Sequence, residues 1–172
     1  ANEINEHPVI YQTLQNTSNV DQTIVYEVTP RTGPCSGSPF KVTVIVHPAP
    51  IVPNQVITLC SEAGFVLTPS SIVGAVVPSN STYTWTITTN NNAITGQQAQ
   101  NVGQSVISQT LTNTTNTQQS IVYSVATLSG VAGGCAGSPF ALTVNVDPKP
   151  TISNFSTEVC SGGSFVALPS NG

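Results

Sequence analysis

Apolar and polar residues alternate along this chain in short runs, each bounded by Gly, Pro, Asn or Ser. The run Thr82-Tyr-Thr-Trp-Thr-Ile87 sets Tyr83, Trp85 and Ile87 on one face and threonines on the other, the period of a half-buried strand. Ser120–Val125 turns Ile121, Tyr123 and Val125 to one side, and Phe140–Val146 does the same with Phe140, Leu142, Val144 and Val146. Further strands are predicted near Val56–Leu59, Phe65–Thr68 and Ser105–Leu111; the last alternates without saying which face is inward. Residues 70–81, 90–92, 113–118 and 130–137 are read as loops. About seven short strands in about a hundred residues, separated by turn signals, describe an immunoglobulin-like β-sandwich.

The pattern is written more than once. Cys35-Ser-Gly-Ser-Pro-Phe40 followed by KVTVIVHPAP returns as Cys135-Ala-Gly-Ser-Pro-Phe140 followed by ALTVNVDPKP. Leu14-QNTSNVDQTIVYEV returns as Leu111-TNTTNTQQSIVYSV, and Cys60-SEAGF as Cys160-SGGSF. A period near one hundred residues is one sandwich domain, not a solenoid turn. Residues 1–50 read as the C-terminal half of one copy, 51–150 as a complete copy and 151–172 as the start of the next. Pro48-Ala-Pro50 and Pro148-Lys-Pro150 read as short stiff linkers, since Pro cannot join a central ladder. Eight residues separate Tyr26 from Cys35 and eleven separate Tyr123 from Cys135, a change that a surface loop tolerates. Half a domain cannot bury enough apolar surface to offset its ordering entropy. The expectation is a window on a longer array, or halves completed by another chain.

Composition narrows the function. Charged residues make up only 6% of the chain, against about 25% in an ordinary soluble domain; polarity comes from Thr, Ser, Asn and Gln. A net charge of −4 with three cations argues against nucleic acid. No apolar run approaches the roughly 20 residues of a membrane-spanning helix, so no membrane insertion is expected. A surface of hydroxyls and amides suits an extracellular protein.

The four cysteines are spaced Cys-x24-Cys, Cys-x74-Cys and Cys-x24-Cys. They lack the close pairs of a zinc site and read as a disulfide framework in an oxidising setting, with free thiols as the plainer reading. The expected bond joins Cys60 to Cys135 within the complete copy, provided that the first strand is short or displaced. Cys35 with Cys60, and Cys135 with Cys160, is the competing scheme.

No catalytic, cofactor or metal site is expected. Gly33-Pro-Cys35-Ser-Gly37 and Gly133-Gly-Cys135-Ala-Gly137 fit the spacing of a nucleophile elbow. That motif needs a following helix and His and acid partners, whereas a β-run follows here. His7 and His47 align with Gln104 and Asp147, too free an exchange for a ligand or base. The acids Glu3, Glu6, Asp21, Glu27, Glu62, Asp147 and Glu158 make no calcium-like cluster. Trp85 could be a sugar-stacking platform, but its neighbours Tyr83 and Ile87 favour the core, with Tyr123, Phe140 and Phe65. The N-x-S/T triplets at Asn16, Asn80, Asn113 and Asn154 are what so Asn- and Thr-rich a chain produces by chance.

The YTW strand, the closing run C-x-G-S-P-F-x-x-T-V-x-V-x-P-x-P and the CSG that follows it resemble the PKD-like repeats of Bacteroidota surface proteins. The resemblance spans essentially the whole chain. It implies an immunoglobulin-like fold and a place in giant secreted adhesins, including the SprB-type gliding-motility adhesins of flavobacteria. The strand after Trp85 reads TITTNNN and lacks the acidic Gly-Asp-Gly turn of the better-known PKD pattern, so no calcium role is carried over. The leading expectation is a non-catalytic stalk or spacer repeat on the cell surface. Its partners would be adjacent repeats and surface or secretion-system proteins. The alternatives are a carbohydrate-binding module and a filament subunit assembled by strand addition.

Overall fold

The computed structural model describes residues 9–130, 134–152, 154–166 and 168. Among these residues thirteen strands follow in chain order: β1 Gln22–Val28, β2 Arg31–Thr32, β3 Cys35–Ser36, β4 Phe40–Val46, β5 Gln55–Cys60, β6 Gly64–Leu67, β7 Thr82–Thr89, β8 Ile94–Thr95, β9 Gln100–Gln104, β10 Ile107–Thr110, β11 Thr112–Asn113, β12 Gln119–Leu128 and β13 Phe140–Asp147. One 3-10 turn, Pro69–Ser71, is the helical element among the described residues. The architecture is the all-β one that the alternation predicts.

Strands β5 to β13 form a two-layered sandwich. One layer is the sheet β5-β13-β12-β7-β9; the other holds the pairs β6–β10 and β8–β11. Every pairing is antiparallel except β5 with β13, where the first long strand of the copy runs parallel to its last. The alternation settles which side faces in. Tyr83, Trp85, Ile121, Tyr123, Val125, Phe140, Leu142, Val144 and Val146 from the large sheet pack against Phe65, Ile94, Ile107 and Leu111 from the other layer. A fully buried side chain of this kind contributes about 1.5–3 kcal/mol, and this core is what closes the sandwich. The ladder between β12 and β7 slips by one residue at Val122/Tyr123. Thr88 stands at the bulge and donates its hydroxyl to the Val122 carbonyl at 2.9 Å.

Three short elements, β8, β9 and β11, fall where no strand is expected from alternation. The strand expected over Ser105–Leu111 is shorter, and only Ile107 and Leu111 of that stretch are core.

The first fifty residues contain the β1–β4 hairpin. Its register, Gln22 opposite Val46 through Val28 opposite Phe40, repeats that of β12–β13, Gln119 opposite Val146 through Val125 opposite Phe140. Among the described residues no sheet covers it, and Phe40 is 49% exposed where Phe140 is 3% exposed.

The Cys60–Cys135 bond expected above is not formed, and the fold explains why. Cys60 ends β5 and lies beside Asp147, the last residue of β13. Cys135 lies beyond the other end of β13, where Ala136 bridges Leu128 and Ser129 N–H donates to the Cys135 carbonyl at 2.9 Å. The eight residues of β13 hold the two apart by about 23 Å at about 3.3 Å per residue. Bridged Cα atoms lie within about 7 Å. The first strand is neither short nor displaced, so the condition that this pairing required is not met. All four cysteines are free thiols.

Candidate functional site: the two ends of a copy and the linker between them

The end of the sandwich at Asp147 is built by one buried asparagine. Asn113 donates its amide to the carbonyls of Thr117 at 2.7 Å and Val146 at 2.8 Å, and accepts from Thr115 N–H at 2.8 Å. This local side-chain-to-backbone pattern fixes a loop that has no ladder of its own. Ser61 locks onto it: its hydroxyl accepts from Asn113 N–H at 2.9 Å, and its N–H donates to the Asp147 carbonyl at 2.8 Å. Asn16 repeats the device, donating to Val20 at 2.7 Å and Val46 at 2.8 Å and accepting from Ser18 N–H at 2.9 Å. The recurrence of Asn-Thr-Ser as Asn-Thr-Thr at the same phase is the sequence signal for this cap. Both asparagines are spent on structure rather than offered as glycan acceptors. Beside each cap a solvent-exposed side-chain pair changes identity, His47 Nδ1 with Asp21 at 2.8 Å and Gln118 Nε2 with Asp147 at 2.7 Å; an amide stands in for a carboxylate, an exchange that keeps the hydrogen bond and would not keep a catalytic base.

The opposite end carries Val77–Ser81, the β12–β13 loop and the entering linker. Pro50 passes so close to Gly137 that a Cβ there would lie 2.0 Å from the Pro50 carbonyl oxygen. The glycine of the repeated C-x-G-S-P-F run is therefore a backbone crossing point. Ile51 and Val76 then exchange two backbone hydrogen bonds of 2.8 Å. Across the junction, Asn19 of the first copy's cap loop accepts from Val77 N–H at 2.8 Å. Pro48 and Pro50 are fully buried there. At the other junction Lys149, within the second linker, pairs with Glu62 at 2.5 Å. The hydrogen bond and charge of Glu62 raise the exposed Lys149 ammonium above its ordinary pKa.

The remaining candidates fall into structural roles. Trp85 is buried and donates its indole N–H to the Gln98 carbonyl at 3.0 Å. Its ring is a core element beneath a shallow polar depression lined by Gln98, Gln100, Gln104 and Gln109. Tyr83, Tyr123, Phe65 and Phe140 are buried with it. Burial raises the pKa of Tyr83 and pushes that of Tyr123 up to about 12, so both hydroxyls stay protonated. Cys35 lies in β3 and Cys135 in the β12–β13 loop; a strand follows each, not the helix of a nucleophile elbow. Gly133, His7, Glu3 and Glu6 lie outside the described residues. Among the described residues no group of three or more His, Cys, Asp or Glu could hold a metal ion, and no helix is long and apolar enough to cross a membrane.

Comparison with known proteins agrees with the architecture. Residues 3–50 and 58–150 each match the PKD-like domain family. No curated protein matches the chain. Domains of this family are in general non-catalytic structural domains of extracellular proteins. Two matched segments, covering most of the sequence and laid over the hairpin and the closed sandwich, place this chain in the PKD-like domain family.

Proposed function

We propose that this chain is a non-catalytic spacer from the stalk of a long cell-surface adhesin, holding a distal binding region away from the cell. The observation that carries the reading is the junction. A buried Pro-Ala-Pro linker and the Asn19–Val77 hydrogen bond join the cap end of one copy to the entry end of the next. Proline fixes φ at two of three linker positions, so successive copies add length instead of folding back. The sparse charge offers no strong attraction between neighbouring flanks. Adjacent repeats are the principal partners, and surface or secretion-system proteins hold the ends of the array. Gliding motility and attachment are the settings in which such a stalk serves.

Small-angle scattering on arrays of two, three and four copies tests this. The maximum dimension should grow nearly in proportion to copy number; a value that stays near that of one domain ends the spacer reading.

A second assembly is favoured by the uncovered face of the β1–β4 hairpin, where Phe40 and Ile24 are exposed while Phe140 and Ile121 are buried. A strand or half-sandwich from another chain would cover it and build a filament. Particle mass that rises with concentration for chains carrying an open half, but not for chains of whole copies, distinguishes this assembly from the spacer.

A further inference from the structure

We propose that consecutive copies are covalently stapled, the thiol at the Cys60 position of one copy forming a disulfide with the thiol at the Cys135 position of the copy that follows. This inference rests on the tandem arrangement under Proposed function.

Each copy carries its two cysteines at opposite ends, which rules out a bond within a copy. The pairing of Cys35 with Cys60 fails for the same reason. Cys35 sits opposite Thr32 at the end of the hairpin away from Val46, and Cys60 sits at the far end of the next copy. What remains is the junction, and there both thiols flank one linker. Cys60 lies beside Asp147, the residue before Pro148. The turn that follows it is tied to that linker by the Glu62–Lys149 pair. The linker's last residue, at the position of Pro50, touches the glycine two places after the second cysteine, as Pro50 touches Gly137.

A second track runs beside the first. Ser61, next to Cys60, is bonded to the Asn113 cap. The equivalent cap loop at Asn16 touches Val77 of the following copy through Asn19. In that copy Asn80 of the Val77–Ser81 loop packs against Gly130, and Ser129 is bonded to Cys135. Cys60 is exposed and Cys135 partly so; both are open to an oxidant. The balance is simple: two thiols lose two protons and two electrons, and one S–S bond forms. The electrons reduce an external disulfide, either that of an oxidoreductase or a small-molecule disulfide, to its two thiols.

The scheme predicts a count that separates it from bonds within copies and from free thiols, while the peptide map separates it from the Cys35–Cys60 scheme, which leaves the same count. With two cysteines per copy and one bond per junction, an array of any length keeps two free thiols, one at each end. Pairing within copies leaves none, and unpaired cysteines leave two for every copy. Alkylation of the oxidised multi-copy chain under denaturing, non-reducing conditions measures this without any variant. Peptide mapping should join the peptide holding Cys60 to the C-x-G-S-P-F peptide of the next copy. Changing one Cys60-position residue to Ser should expose one new thiol, in the following copy. Two thiols per copy, a Cys60–Cys135 peptide, or reductant-sensitive bonds between separate chains would each overturn the staple. An array that stays a rod in scattering with every thiol free loses the staple and keeps the spacer; a compact array loses the spacer itself.

Discussion

Residues 151–168 and 51–68 share a sequence pattern and differ in what they become. The earlier stretch forms β5 and β6 because β13 and β10 lie ready to pair with them. The later stretch has no strand among its described residues, and Phe165 is 64% exposed where Phe65 is 7% exposed. Yet one feature survives in both. Ala63 N–H donates to Cys60 at 3.0 Å, and Gly163 N–H donates to Cys160 at 2.9 Å. The second of the two residues between each pair takes a positive φ, +69° at Glu62 and +84° at Gly162. Likewise the local bonds of Asn16 to Ser18 and Val20 form in the open hairpin as those of Asn113 to Thr115 and Thr117 do in the closed sandwich. Contacts that span two to five residues are made by the sequence alone. Strand order and burial need a partner from far along the chain, whose loop-closure entropy must be offset first.

The twins offer direct ways to break this comparison, because the chain's one tryptophan lies in the complete copy and reports its unfolding alone. Phe140→Ala should cost the sandwich about 3–5 kcal/mol, whereas Phe40→Ala should move the Trp85 transition by less than about 0.5 kcal/mol. Denaturant titration followed by fluorescence compares the two. Equal losses would mean that the hairpin is as closed as the sandwich. Trp85→Ala should match Phe140→Ala, measured by far-ultraviolet circular dichroism in the absence of the fluorophore.

Gly137→Ala ranks next. Its Cβ would meet the Pro50 carbonyl and the Thr127 hydroxyl, and overpacking of this sort costs about 1–3 kcal/mol. At Gly37 the same change meets only the Pro30 ring, at 2.9 Å, and should be mild. Asn113→Ala strands the buried Val146 carbonyl, a loss of about 1–3 kcal/mol; Asn16→Ala, in the uncovered copy, should leave the Trp85 transition in place.

The smallest effect sharpens the picture through pH. Tyr123 ionises near 10 when unfolded and at about 12 when folded. The unfolded chain therefore releases its proton first as pH rises. The stability from burying the neutral phenol is complete below pH 10 and is lost progressively between about 10 and 12. Tyr123→Phe should flatten that alkaline decline while losing about 1 kcal/mol near neutrality with the Gln109 hydrogen bond. An unchanged alkaline limb would assign the decline to Tyr83.

Much of this was legible in the residues because alternation reports directly on burial. The inward sides of β7, β12 and β13 follow from Tyr83, Trp85, Tyr123 and Phe140 without further information. What alternation could not carry is pairing across the second layer. β8, β9 and β11 are two to five residues long, too short to show a period, and held by partners rather than by propensity. The cysteines show the same limit: spacing says that they are periodic, but only the β5–β13 register says at which end each one stands. Asn113 was visible as a repeated triplet, and its role needed the loop it caps.

The parallel pairing of β5 with β13 decides how a copy answers tension. A stalk is pulled by its two ends, and those ends leave the copy through its first long strand and its last. Because these run side by side in the same direction, opposite pulls slide one along the other. The paired positions from Gln55 with Leu142 to Cys60 with Asp147 are then loaded together. An antiparallel hairpin drawn apart at its open end gives up one hydrogen bond at a time. Here the whole ladder must yield at once, so the strongest resistance of the copy lies along the line from linker to linker.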